Sequence, residues 1–353
     1  MRVALIGSGV GASLHAAAIR ACRDAEIVGV AGLDAQLLES FCDRYGVAGR
    51  FRDYRQMIEA VRPRVVHVVT PPRTHAAIVR DVLEAGCAVL VDKPMCMTVR
   101  EADEMIETAR RHGQPLCVMH NHRFDPPVLE AERLMRSVPG NEPFLVRVTY
   151  FRERFRLEEE GNLDPGHWLH DLPLGVYGEH GAPHVVYLLL HWLKTVTDVA
   201  IREQRVRHGT EREIRLWNAT LASDERMGVM ALGDNTDQGQ FVVELFTPKM
   251  VIRLNMLDLT TTIYRERELG VVARRMGASV EESLRRLAST AGNLLRIATG
   301  RLRRRPGHRR LVRAFYDSIR DGTPPPVPAE EGRETVRILC RLEQLLGADA
   351  ARR

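Results

Sequence analysis

Along the N-terminal third of the chain, short continuous apolar runs alternate with stretches in which apolar residues recur at helical spacing. "VALI" (Val3 to Ile6) is apolar throughout, as a strand covered on both faces of a parallel sheet must be. It leads into "GSGVGA" and a helix-patterned segment reaching Cys22; a second apolar run, Ile27 to Ala31, precedes a helical pattern ending near Tyr45. Then follow "RVVHVVTPP" as strand and stop, "THAAIVRDVLEAG" as a helix closed by Gly86, and "CAVLVDKP" as strand and stop. "TVREADEMIETARRHG" reads as a helix closed by Gly113, and "PLCVMHNHRF" as a further strand. Thr98 with Glu101 three residues on is a capping-box signal, each side chain satisfying a backbone N–H at the helix start. Strands alternating with helices of this length require right-handed crossovers, so the expected class is α/β with a doubly wound parallel sheet.

Beyond Phe124 the pattern changes. "FLVRVTYFRERF", "IRLWNATLAS", "GVMALGD", "GQFVVELFTPKMVIRLNML" and "DLTTTIYRE" are longer β-rich stretches, several alternating apolar with polar, which predicts a large, mainly antiparallel sheet with one face packed and one open. At 353 residues the chain exceeds what one hydrophobic core supports. The expected division is 1–124 for the first domain and 125–353 for a second, α+β domain, with a last amphipathic helix at about 329–346 packing back on the first.

Composition changes this picture only locally. Hydrophobic residues make up 44% and charged residues 27%, and no apolar stretch is long enough for a membrane span. "MRVALIGSGVG" lacks the features of a secretory signal, so a cytoplasmic protein is expected. The six cysteines form no C-x-x-C pair and no regular framework, which argues against structural zinc and a disulfide scaffold. The formal charge of +5 comes from one segment: residues 271–313 hold twelve arginines and two glutamates, a surplus of ten, leaving the rest of the chain at −5. Nucleic-acid binding is therefore not expected of the protein as a whole. The segment reads as a solvated helical face, or as a contact for an acidic ligand, a nucleotide or a membrane surface.

"GSGVGA", Gly7-Ser8-Gly9-Val10-Gly11-Ala12, has the G-x-G-x-x-G/A spacing between a strand and a helix. Gly7 permits the tight turn, Gly9 lets backbone approach a pyrophosphate, and Ala12 allows close helix packing, with the phosphate at the helix N-terminus. The alternative is a tight turn with no ligand. About twenty residues on, a dinucleotide site offers an acid to the ribose 2′-OH. Gly32 stands where that acid is expected, and Asp34, two residues later, is either the ribose ligand or a helix N-cap. No arginine flanks Asp34 to hold a 2′-phosphate, so between NAD and NADP the lean is to NAD. "VDKP" puts Lys93 at the carboxyl end of a strand, where open α/β sheets bind ligands. The chain has only three lysines against forty-eight arginines, so a lysine at the crevice points to a proton donor or compact charge near a reacting oxygen.

These stretches, with "TVREADEMIETARRHGQPLCVMHNHRFDP", "GEHGAPHVVYLLLHWL" and "SIRDGTPPPVPAEEGRETVRIL", resemble the Gfo/Idh/MocA family of NAD(P)-dependent oxidoreductases over nearly the whole length. The resemblance implies a Rossmann domain followed by an α+β domain. It implies that Thr70, Pro71 and His75 line the cofactor, that Asp92, Lys93 and Pro94 stand for the family's E-K-P motif with Asp in place of Glu, and that Asn121 and Arg123 lie near the nicotinamide or substrate. "EHGAPHVVY" matches the family's D-x-G-x-H-x-x-D motif through Glu179, Gly181, His184 and Tyr187, with one extra residue before the histidine and Tyr for the last Asp. The insertion leaves both Glu179 and His180 as candidates to face the substrate. By the match His184 is the acid/base, consistent with an imidazole titrating near the working pH, the alternatives being a packed core histidine or a metal ligand, while Val185, Val186, Leu188, Leu189 and Leu190 pack the helix down.

Seven of the thirteen histidines fall between His120 and His191 without H-E-x-x-H spacing or accompanying cysteines, so no metal is expected and a sugar site lined with donors and acceptors is the simpler account. Trp168 is a ring face for a pyranose or a core residue; Asp171 is a hydroxyl acceptor or a turn residue. The expected activity is hydride transfer between NAD(P) and a secondary alcohol or ketone of a sugar, nucleotide sugar or cyclitol, with Lys93 at the reacting oxygen. The alternatives are a tightly bound, internally recycled NAD serving epimerisation, elimination or glycoside cleavage, and a non-catalytic nucleotide-binding partner protein. The open sheet face and the resemblance imply a homodimer or homotetramer.

Overall fold

A computed structural model describes residues 1–153, 175–208, 212–236, 238–265, 271–299 and 305–351. It divides into two compact units, Met1–Asn121 with Gly307–Cys340, and His122–Pro306 with Arg341–Arg353. The first boundary thus falls before His122 rather than after Phe124, and Gly307–Cys340 group with the first unit: the last helix was expected to pack there, the stretch before it was assigned to the second domain.

The first unit runs β1 (Arg2–Ile6), α1 (Val10–Ile19), β2 (Glu26–Ala31), α2 (Ala35–Tyr45), β3 (Arg50–Phe51), α3 (Tyr54–Val61), β4 (Val65–Val68), α4 (His75–Glu84), β5 (Ala88–Val91), α5 (Val99–His112) and β6 (Leu116–Val118). Its sheet is parallel in the order β3-β2-β1-β4-β5-β6. Strands β4 and β5 are buried along their whole length, which is why their sequences are unbroken apolar runs but for His67. The expected capping box is present, with Thr98 accepting from the Glu101 N–H and Glu101 from the Thr98 N–H. Strand β3 and helix α3 had no counterpart in the hydrophobic pattern: β3 is two residues long, and α3 is a short helix capped by Asp53, which accepts from the Arg55 N–H.

The chain order reverses between β1 and β4, so the loops after β1, β4 and β5 gather at the carboxyl edge of the sheet. Helix α9 (Pro306–Asp321) returns to this unit and buries Leu311, Val312, Phe315 and Tyr316. The segment after it extends the β6 edge, where the Val118 N–H donates to the Val327 carbonyl. Helix α10 (Ala329–Ala351) follows; a Cβ on Gly332 would come within 2.7 Å of Val118 and 2.8 Å of Met95.

A buried polar chain ties α9 to the sheet. Tyr316 Oη lies 2.8 Å from His67 Nε2, and His67 Nδ1 lies 2.9 Å from His15 Nδ1 on α1. All three side chains are almost wholly buried. Burial holds the Tyr316 phenol protonated and pushes both imidazoles below their ordinary pKa, His67 strongly, so all three are neutral at pH 7. The phenol then donates to His67 Nε2, His67 Nδ1–H donates to His15 Nδ1, and each tautomer is assigned.

The second unit contains α6 (Pro126–Arg136), β7 (Leu145–Glu153), α7 (Gly175–Leu193), β8 (Asp198–His208), β9 (Arg212–Ala222), β10 (Met227–Thr236), β11 (Gln240–Phe246), β12 (Met250–Asn255), β13 (Thr260–Arg265) and α8 (Val271–Ala298). Its sheet has the order β13-β12-β11-β7-β10-β9-β8 and is antiparallel except for the parallel pair β7–β10. Helix α7 covers one face with Val185, Val186, Leu188 and Leu189, all fully buried. It comes close because Gly181 sits against Tyr150 and Leu232, where a Cβ would approach to 2.7 Å. Other positions carry charge on the strands, as in Arg147 Nε to Glu244 Oε2 at 2.6 Å. Strand β8, which the hydrophobic pattern does not reveal, is a sheet edge with three arginines, Arg202, Arg205 and Arg207, a composition that masks the alternation of a strand and guards an edge against further pairing.

Candidate active site

The glycine loop between β1 and α1 is shaped by its neighbours. Gly7 has φ +116, and a Cβ there would overlap the Val69 carbonyl oxygen, so no other residue fits. Gly11 packs against Val69 and faces the Asp92 carboxylate, and Ala12 is fully buried. Gly9 differs: a Cβ on it would meet nothing within 4 Å. Packing therefore does not demand a glycine at 9, whereas close approach of a ligand to the backbone at the start of α1 does. The residues present fit a dinucleotide pyrophosphate. We expect Gly7→Ala to cost about 3 kcal/mol through strain and overlap. Gly46→Ala, at a left-handed helix cap with open space around it, should cost only about 1 kcal/mol. Equal melting temperatures for the two variants would contradict the close approach.

Gly32 has a physical reason to be the missing acid. A Cβ there would lie 2.7 Å from Ser8 Oγ and 3.3 Å from Ser8 Cβ, so a side chain at 32 makes the Ser8 hydroxyl turn away. Asp34 is the N-cap of α2, its Oδ1 accepting from the Leu37 N–H at 2.9 Å. Of the two roles open to it from sequence, the cap is the one the geometry displays.

His75 is fully buried, beneath the loops rather than on their surface. Its Nε2 lies 2.7 Å from the Thr70 carbonyl and its Nδ1 3.1 Å from that of Pro94. Burial lowers its pKa, against the pull of Asp92, so the neutral ring donates to one of these carbonyls at a time. It braces the loops after β4 and β5 and does not itself offer a surface to a cofactor. Pro71 is exposed and Thr70 half-buried; the Thr74 hydroxyl donates to Thr70 Oγ1 at 2.7 Å. Asp92 Oδ1 accepts the Lys93 N–H at 2.8 Å, fixing the turn that carries the half-buried Lys93 into Pro94.

In the second unit the chemistry gathers at α7 and the turn before α6. His184 Nδ1 shares a 2.9 Å hydrogen bond with the Tyr187 hydroxyl, which also accepts the His122 N–H at 3.1 Å. His122 Nδ1 lies 2.7 Å from Asp125 Oδ2, and the Asp125 side chain is only 5% exposed. A carboxylate only accepts, so His122 donates its Nδ1–H to Asp125, and the neutral ring carries its lone pair on Nε2. The rings of His122 and His184 meet edge to face with centroids 4.7 Å apart, and Phe241 closes the other side of His122 at 5.0 Å. Two imidazoles, a phenol and a buried carboxylate thus form one connected group.

The histidine cluster expected from sequence divides here. His191 is committed to α6, its Nε2 2.8 Å from Glu132, and burial lowers its pKa against that carboxylate. Asn121 is buried and Arg123 half-buried. Trp168 and Asp171 lie outside the described residues, as do the side chains of Glu179 and His180. The six cysteines are free thiols, five of them buried, with Cys96 pushed up to about 12 by burial.

Residues 1–120 match the Gfo/Idh/MocA family, described as an oxidoreductase family with an NAD-binding Rossmann fold. The match lies within the first unit and covers about a third of the chain. D-glucoside 3-dehydrogenase of Escherichia coli (strain K12) is 37% identical over 139 residues, 39% of this chain and 39% of that protein. D-apiose dehydrogenase of Paraburkholderia graminis is 32% identical over 152 residues, 43% of this chain and 40% of that protein. The matched stretches thus span about two-fifths of the length of these relatives. The WlbA dehydrogenase of Bordetella pertussis, solved with NADH and UDP-GlcNAcA, superposes with a TM-score of 0.76 at 17% identity, covering 98% of this chain and 95% of that one. At that identity the likeness extends the shared fold, not the chemistry, over the second unit.

Against the family's motifs, the resemblance led to His184 and Tyr187 but passed over His122 and Asp125. The signal was present in "HRFDP": a histidine and an aspartate three residues apart, on a turn where a single-turn spacing brings both side chains to one side.

Proposed function

We propose that the protein is an NAD(P)-dependent dehydrogenase or reductase acting on a secondary alcohol or ketone of a sugar, nucleotide sugar or cyclitol. The observation that carries this reading is the glycine loop, tight at Gly7 and Gly11 and open at Gly9. The nucleotide, when bound, supplies the hydride acceptor or donor. Gly7 to Ala12 hold its pyrophosphate, with Thr70, Pro71, Asp92, Pro94 and Asn121 nearby, and the lean is to NAD. Lys93 places a compact positive charge at the reacting oxygen. His184 exchanges the hydroxyl proton, oriented by Tyr187, and the Asp125-held His122 beside it offers a second lone pair to the same proton. The relatives act on a glucoside and on apiose by their names, and one structural neighbour holds a nucleotide sugar, which supports this substrate class. A cytoplasmic homodimer or homotetramer completes the reading.

The test is a fluorescence titration of nucleotide-stripped protein with NADH and NADPH, followed by a panel of UDP-N-acetylglucosamine, methyl glucosides, apiose and myo-inositol with the preferred nucleotide. NADH binding at about micromolar Kd and hydride transfer on one class of polyol are expected. Binding of neither nucleotide would leave the glycine loop a structural turn and end the enzyme reading.

A further inference from the structure

Helix α8 wears its apolar side outward. Val280, Leu284, Leu287, Leu294 and Leu295 are 57–67% exposed. At about 100° per residue they lie on one stripe, roughly 27 Å long from Val280 to Ala298, with exposed alanines 288, 291 and 298 between them. Nearly opposite stands Asn293, buried, whose Nδ2 donates to the Asp258 and Leu259 carbonyls at 2.9 and 3.1 Å in the turn between β12 and β13. A surface helix ordinarily turns its leucines to its own core and its amides to water. Among the described side chains the helix buries an amide and leaves its leucines bare, an arrangement that costs free energy unless something else covers them.

Charge selects the cover. The stripe belongs to a helical segment, Val271–Ala298, that carries five arginines against two glutamates and no aspartate or lysine. A second copy packed on the same stripe would bring two such segments together, with only Glu281 and Glu282 in each to offset them. A negatively charged lipid surface complements both features, since the leucines enter the boundary between headgroups and acyl chains while arginines meet lipid phosphates. No described helix is long and apolar enough to cross a membrane, so this contact lies in the plane of the surface. We propose that α8 is an in-plane anchor that docks the protein on an anionic lipid bilayer.

Flotation of the full chain with vesicles tests this. Binding to phosphatidylcholine–phosphatidylglycerol vesicles should exceed binding to pure phosphatidylcholine by about tenfold or more and fall in high salt. The triple variant Leu284→Ser, Leu287→Ser, Leu294→Ser should lose about tenfold or more of that binding, with unchanged far-UV circular dichroism and melting temperature because the replaced side chains are exposed. Failure of the wild type to float with anionic vesicles would overturn the proposal, and so would equal flotation of the variant. A variant that instead turns a dimer into a monomer by light scattering, with no lipid binding in the parent, would assign the stripe to a second copy.

Discussion

Lys93→Met should slow hydride transfer by about 10²–10⁴-fold while leaving NADH affinity within a few fold. The backbone around it is held independently of its side chain: the Lys93 N–H is bonded to Asp92, and His75 braces the neighbouring Pro94 carbonyl. A methionine of similar length removes the ammonium, with its charge and proton, and leaves these backbone contacts in place. His184→Asn should reduce the rate on the same scale, and, if the proposed roles hold, the double variant should fall well short of the product of the two losses, as expected of groups that act as a unit. Asp125→Asn should lower the rate about tenfold or more, since an amide no longer holds His122 with its proton on Nδ1. Single-turnover rates with stopped-flow detection of NADH separate these effects from binding. A Lys93→Met enzyme at full speed would remove Lys93 from the chemistry, and an unaffected Asp125→Asn would reduce the His122 pair to a structural contact.

Thermal stability should fall as the pH drops below about 6.5, the ordinary histidine value. In the unfolded chain His15 and His67 take up protons there, whereas burial keeps both neutral in the folded state to lower pH. Their stabilising contribution is therefore fully present above the unfolded pKa and lost as pH falls, at up to about 1.4 kcal/mol per pH unit for each residue. For His15 the Asp92 carboxylate opposes the shift and His75 reinforces it. His75 and His191, also lowered by burial, add to the slope. Calorimetry from neutral to mildly acidic pH reads this directly. The double replacement His15→Leu, His67→Leu should flatten the slope even though it leaves Tyr316 without its acceptor and lowers stability at neutral pH. An unchanged slope in that variant would mean the network does not control acid stability.

What the sequence determined by itself is local. Strands β1, β4 and β5 were legible because a strand buried on both faces must be nearly continuously apolar, and α5 because its capping box spans only four residues. The glycine loop was legible because its turn and its backbone exposure depend on the residues within it. The Arg-rich segment announced its charge, though not which way its leucines point.

Only the tertiary structure decided the rest. It shows what crowds position 32, the Ser8 side chain of another loop. It returns Gly307–Cys340 to the first unit through Tyr316 and the β6 edge, contacts that join residues more than two hundred positions apart. It assigns His75 to bracing, Asp34 to capping, and His122 with Asp125 to the group around His184. In each case the role of a polar side chain follows from which partner lies within hydrogen-bond reach. That is a property of chain crossings, and residue spacing along the sequence does not encode it.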